Sequence, residues 1–279
     1  MTMLSINTNV GALQAARSSY SVNKSMEQSM ERLASGKRVN GATDDAAGLA
    51  IATRLNAEIN GINQGIRNAS DAQGMLAVAE GALEQVHALL LRMRELAVQS
   101  ANETNSSADR HHLQTEVDQL EAEIQRVVDD TTWAGITLLA GGFTSGATFQ
   151  IGPRNTDTIQ ISISAIEPLS SVGNGGLSLS GHISLQANAM GYIVNIDNAI
   201  SIISADRGKY GATMNRLDHA MANLQNVATN LALAKGRIMD ADFAAESSNL
   251  ARTQVLQQAS MAMLAQANAS KQNILSLFQ

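Results

Sequence analysis

The 279 residues include no cysteine, which excludes disulfides, thiolate metal sites and cysteine nucleophiles and says little about compartment. Proline is almost absent: Pro153 and Pro168 lie near the middle, so no proline breaks a helix on either side of them. Aromatic residues make up 3% of the chain against 44% hydrophobic residues in all. A core built from small and medium aliphatic side chains favours helix packed on helix. Runs of Lys or Arg are also missing, and the formal net charge is −6, so a phosphate backbone finds little to hold and nucleic acid is not an expected partner. The opening MTMLSINTNV has neither the basic nor the uninterrupted apolar segment of a Sec-type signal peptide, so a cleavable signal is not expected. HExxH, GxGxxG, GxSxG and P-loop patterns do not occur, and the expectation is no enzyme, no cofactor and no resident metal.

Charge is scarcest at the two ends. Residues 1–23 carry only Arg17, and residues 253–279 carry only Lys271. The stretch 253–270 holds ten apolar residues, five of them Ala, against eight Gln, Asn, Ser or Thr. Those amides and hydroxyls would be unpaired in lipid, so membrane insertion is not expected. Ile6, Val10, Leu13 and Tyr20 fall at helical spacing near the start, and Leu256, Met263, Ala267, Ile274 and Phe278 follow a 7,4,7,4 series at the finish. Each end therefore offers one apolar stripe on a helix with an uncharged remainder, a combination that a soluble monomer avoids exposing. The expected answer is that the ends pair and also pack on further copies of the chain, with Leu264 beside Met263 in that packing.

What the rest of the chain does have is period. Leu55, Ile62, Ala69, Leu76, Leu83, Leu90 and Ala97 recur every seven residues, and Met75, Ala79, Ala82, Val86, Leu89, Met93 and Leu96 form a second seam alongside. One helix of about 55 residues, about 80 Å long, would carry both. The polar cluster from Asn102 to Ser107 ends it, and Leu113, Val117, Leu120, Ile124 and Val127 predict a second, antiparallel helix. A third long helix follows from Ile193 through Ile196, Ile200, Ile203, Tyr210, Met214 and Leu217 to Leu231, broken once by Arg207, which must snorkel or find an acid. Phe149 and Ile151, then Ile159, Ile161 and Ile163, alternate on either side of a turn at 152–157 and predict one β-hairpin at about 143–166. The fold class is mainly α: a long coiled-coil-like helical bundle with a small β-hairpin region, plus a terminal helix pair formed by both chain ends.

Two local patterns invite a sharper chemistry. Asp44 and Asp45 in ATDDAAGL form a carboxylate pair in sequence, but capping a helix N-terminus is the simpler role. His111, His112 and Glu116 bring a His and a Glu four residues apart with no third ligand in view, which reads as a solvated helix face.

MLSINTNVGALQAARS, MERLASGKRVNGATDDAAGLAIATRL, RELAVQSAN and the final RIMDADFAAESSNLARTQVLQQASMAMLAQANASKQNILSLFQ resemble the signature blocks of bacterial flagellin, over roughly residues 1–140 and 185–279. The short centre resembles a minimal flagellin without the outer variable domains. The resemblance implies a subunit that polymerises into the flagellar filament, with an inner, core-lining domain of 1–44 and 236–279 and an outer bundle of 45–235. It also implies extracellular placement through the flagellar type III export apparatus with its export chaperone, and contact with filament cap and hook-junction proteins. RMRELAVQSAN further resembles the segment read by the animal flagellin-sensing Toll-like receptor, which implies Arg92, Leu96 and Glu116 as contacts, with Leu91 where many recognised flagellins have Gln. A hook–filament junction protein, or another exported coiled-coil protein such as a secreted adhesin, is the rival reading.

Overall fold

The computed structural model describes residues 8–167, 177, 179 and 181–276, with the side chains of 271–276 outside the description. In chain order the elements are α1 (Val10–Ser35), α2 (Ala46–Ser100), α3 (Ser107–Asp130), β1 (Thr132–Trp133), β2 (Ile136–Thr137), a π-helical turn (Leu138–Gly142), β3 (Ala147–Gln150), β4 (Thr158–Ile161), α4 (Gln186–Met239) and α5 (Phe243–Ser276). They form two compact units: a terminal unit of 1–57 with 230–279, and a central unit of 58–229. The sequence resemblance drew its domain boundaries elsewhere, at 44/45 and 235/236. Both α2 and α4 run from one unit into the other.

In the central unit the periodicities become burial. Of the first seam, Ile62 is 2% exposed and Ala69, Leu76, Leu83, Leu90 and Ala97 are fully buried. Met75, Ala79, Val86, Met93 and Leu96 of the second seam are at most 1% exposed, with Ala82 and Leu89 packed against them. One helix presents two adjacent rows because α3 takes one side of it and α4 another. Removal of these rows from water is the main stabilisation of the unit. By length and composition α2 is also apolar enough to cross a membrane, but here its apolar rows are the protein's core.

Polar groups finish what the rows begin. Arg110 of α3 donates to the carbonyls of Ser100 at 2.9 Å and Asn102 at 3.0 Å, satisfying the end of α2. α3 itself opens on a capping box, in which Asp109 N–H donates to Ser106 Oγ at 3.2 Å and Ser106 N–H to Asp109 Oδ2 at 3.0 Å. Arg207, the interruption in the α4 seam, finds its acid in Glu80 of α2 at 2.6 Å. Tyr192 of α4 donates its hydroxyl to Glu121 of α3 at 2.6 Å. Burial pushes the Glu121 carboxyl above its ordinary value, and burial likewise pushes the Tyr192 phenol up, so the phenol stays a donor.

The expected hairpin is β3 and β4, antiparallel with Phe149 opposite Ile159 and Ala147 opposite Ile161. It docks on α2 where the helix has notches. A Cβ on Gly65 would collide with the Ile151 carbonyl, and one on Gly61 would lie 2.8 Å from the Pro153 ring. Asn68 completes the dock by donating to the Gln150 carbonyl at 2.7 Å. A glycine inside a helix costs about 1 kcal/mol relative to Ala, and here close backbone approach is what it permits.

The sequence reading had one hairpin, and the structure has a second ladder. β1 pairs antiparallel with β2, Thr132 opposite Thr137 and Trp133 opposite Ile136. Ala134 (φ 50°) and Gly135 (φ 82°) make the two-residue turn, whose paired positive φ values belong to the type I′ hairpin. Two-residue strands are too short to show alternation, so only the Ala-Gly turn chemistry carried a signal.

Candidate assembly surface

α1 and α5 lie antiparallel along each other. Asn9 donates to the Ala267 carbonyl at 3.1 Å, Gln257 to Asn23 Oδ1 at 2.8 Å, and Arg32 stands 3.7 Å from Glu246. The junctions next to them interlock as well: Arg38 N–H donates to the Met239 carbonyl at 2.6 Å and Ala241 N–H to the Gly36 carbonyl at 3.0 Å. Each helix has a built start. Asn9 caps α1 by accepting from Ala12 N–H at 3.1 Å, and Asp242 caps α5 by accepting from Ala244 and Ala245 N–H at 2.9 and 3.2 Å. Gly36, at φ 68°, ends α1 in the left-handed conformation that favours glycine.

The aspartate pair divides its labour. Asp45 caps α2 through Gly48 N–H at 2.8 Å, while Asp44 accepts from Asn40 N–H at 3.0 Å, Gly41 N–H at 3.2 Å and the Gln28 amide at 3.2 Å. Capping is therefore the work of Asp45, and Asp44 ties the preceding turn. The backbone N–H groups of Asn40 and then Gly41 hold the Asp44 carboxyl below its ordinary value.

The α1·α5 pair leaves much apolar surface uncovered. Its inner face buries Ser19 and Ser29 and half-buries Ala12, Ala15, Val22, Met26 and Leu33 of α1. Its outer faces carry Val10 at 63% exposure, Leu13 at 58%, Tyr20 at 75%, Val255 at 65%, Leu256 at 45%, Met261 at 58% and Met263 at 65%. Single exposed apolar residues need no explanation, but seven large ones on two paired helices mark an interaction surface. A groove of about 460 Å³ between the helices is lined by Gly11, Gln14, Ala15 and Ser18 on one side and Leu256, Ala259, Ser260 and Met263 on the other.

Of the residues singled out for packing, Val10, Leu13, Leu256 and Met263 are on this exposed surface, and Leu264 is half-buried. Ile6 and Phe278 lie outside the described residues, as does the side chain of Ile274. Val255 and Met261 were missed because they fall off the 7,4,7,4 series, and only solvent exposure reveals them.

The three residues implied as receptor contacts are in the central unit. Arg92 pairs with Glu116 at 2.8 Å and with Glu95 at 3.0 Å, and hydrogen bonding to Glu116 first and Glu95 second raises its pKa. Arg92 and Glu116 are about half exposed, whereas Leu96 is 1% exposed in the core. Glu116, the carboxylate of the His-Glu pattern, is thus engaged by a guanidinium.

Long seamed helices, a small hairpin and an unpartnered terminal pair define a structural helical subunit built to associate with its own kind. Residues 6–144 match the bacterial flagellin N-terminal helical region, and residues 193–278 match the bacterial flagellin C-terminal helical region. A flagellin of Halalkalibacterium halodurans is 40% identical over 274 residues, covering 98% of this chain and 99% of that protein. A crystal structure of Bacillus cereus flagellin, 31% identical, superposes with a TM-score of 0.50, covering 61% of this chain and 94% of that one. A flagellar hook-associated protein structure from Vibrio parahaemolyticus gives a TM-score of 0.62 over 71% of this chain and all of that one, at 17% identity, which is a likeness of fold alone. The chain belongs to the bacterial flagellins, and its match in length with the Halalkalibacterium relative makes it one of minimal size. It is a structural protein that polymerises into the extracellular flagellar filament used for swimming, and the junction-protein and adhesin readings are not favoured.

Proposed function

We propose that the terminal pair supplies the polymerising contacts, through Val10, Leu13, Leu256, Met263 and Leu264, continued by Ile6, Ile274 and Phe278. The observation that carries this is the apolar surface that the pair leaves exposed, Val10, Leu13 and Tyr20 on α1 and Val255, Leu256, Met261 and Met263 on α5. Subunits joined by two different surfaces, with a rotation that does not close, build the open helix that a filament requires. In this reading residues 1–44 with 236–279 line the filament core, and 45–235 form the outer bundle. The chain leaves the cell through the type III export apparatus with an export chaperone and without a cleavable signal, and it meets cap and hook-junction proteins at the filament ends. It carries no catalytic function. For an animal Toll-like receptor, the accessible pair Arg92 of α2 and Glu116 of α3 makes direct contact, and Leu96 acts from beneath by anchoring α2 in the core.

Leu256→Lys tests the packing. No formal charge from Thr253 to Ser270 can pair with the new ammonium, and burying it unpaired in the interface costs several kcal/mol, roughly 3–5, at every subunit. The variant is expected to remain a helical monomer with an unchanged melting temperature and to fail to elongate filament seeds. Normal elongation would remove Leu256 from the interface, and a collapsed melting temperature would place it in the monomer's own core.

A further inference from the structure

Two rows of side chains run along α1 on opposite sides. Ala12, Ala15, Ser19, Val22, Met26, Ser29 and Leu33 are buried or half-buried, in the 3,4 spacing of a packed seam. Two residues earlier in each case, Val10, Leu13, Arg17, Tyr20, Lys24, Glu27 and Glu31 repeat the same spacing, and every one of them is exposed. Two residues of an α-helix are about 160° of rotation on the far side, so the second seam faces away from the first. It is also divided by chemistry: Val10, Leu13 and Tyr20 occupy one end, and Glu27 and Glu31 the other.

The groove between α1 and α5 has the complementary form. Its lining repeats at i, i+3, i+4 and i+7 on both helices, from Gly11 to Ser18 and from Leu256 to Met263, so it is one heptad long, about 10 Å. Leu13 and Tyr20 are also one heptad apart. The floor is made of small residues, Gly11, Ala15, Ser18, Ala259 and Ser260, which leave room for large knobs. No lining residue carries a charge. Only the apolar end of the exposed seam matches that, and the carboxylates at the other end exclude themselves.

Resting on the packing reading above, we propose that the groove receives the Leu13–Tyr20 edge of α1 from a second copy of this chain. Knob and groove lie on different sides of the same helix pair, so each copy offers its groove to one neighbour and its edge to another. That is a heterologous contact, the kind that extends into a helical filament when its rotation does not close a ring. Arg17, between the two knobs, reaches the rim, where the Gln14 amide and the Ser18 and Ser260 hydroxyls are acceptors.

A chain with no cysteine allows a clean test. Tyr20→Cys and Ala259→Cys are prepared as separate full-length proteins, since both positions are exposed and neither substitution disturbs a buried contact. Mixed in equal amounts, elongated from filament seeds and oxidised, they are expected to give disulfide-linked dimers that neither protein forms alone. The double variant is expected to give a ladder of multimers. Leu13→Cys with Ser260→Cys repeats the measurement if the first pair does not elongate. Dimers from Tyr20→Cys alone would overturn the proposal, because like edges would then be meeting. Filaments from either pair without cross-links would also overturn it, while leaving the Leu256→Lys result, and with it the packing reading, intact.

Discussion

Arg207 of α4 donates two hydrogen bonds to one oxygen of Glu80 on α2, at 2.6 and 2.9 Å, where the apolar series expected for α4 is broken by a charge. Both side chains are less than a third exposed, 31% and 29%. Arg207→Ala leaves Glu80 half-buried without its partner and is expected to cost about 1–3 kcal/mol. Replacing both with apolar residues, Arg207→Met with Glu80→Leu, removes the charge instead of stranding it and is expected to be close to neutral. Urea unfolding of the two variants checks the order.

Gly65 and Gly81 sit in the same helix and should respond oppositely to alanine. At Gly81 no atom lies within 4 Å of the added Cβ, and Gly81→Ala is expected to stabilise by up to about 1 kcal/mol through helix propensity alone. At Gly65 the Cβ meets the Ile151 backbone, and Gly65→Ala is expected to destabilise by about 1–3 kcal/mol as the hairpin lifts from α2. Thermal melts of the pair decide it, and equal gains in both would mean that the hairpin does not dock there.

Asp44 makes the turn before α2 dependent on pH. Its folded pKa is depressed by the Asn40 and Gly41 N–H groups, so its contribution is present above the ordinary value of 3.8 and is lost as pH falls from there through the depressed value. Amide exchange at Asn40 and Gly41 is expected to accelerate over that acid range. Asp44→Asn is expected to show the faster exchange already at neutral pH.

The central unit closes on its own rows, and removal of residues 1–40 or 240–279 is expected to leave it folded. Circular dichroism should show a cooperative melt, and neither truncation should elongate filament seeds. Elongation by either would mean that the terminal pair is dispensable for assembly.

The presence of the three long central helices, the two seams of α2, the need of Arg207 for an acid and the β3–β4 hairpin were all legible in the sequence. They follow from period, turn chemistry and capping, which depend on residues a few positions apart. The family, too, was written in the terminal blocks. What only the tertiary structure decided involves partners distant in the chain. That Gly65 must be glycine depends on a carbonyl at Ile151, and that Glu121 is half-buried depends on Tyr192. Leu96 and Arg92 are four residues apart on one helix, yet Leu96 is core and Arg92 lies at the rim, where it reaches Glu116 of α3. At the chain ends an apolar stripe specifies that something must cover it. Which stripe α1 and α5 bury against each other, and which they leave for another subunit, is settled by the register of the pair, which covers Ala15, Ser19, Val22, Met26 and Leu33 and leaves Val10, Leu13 and Tyr20 outside.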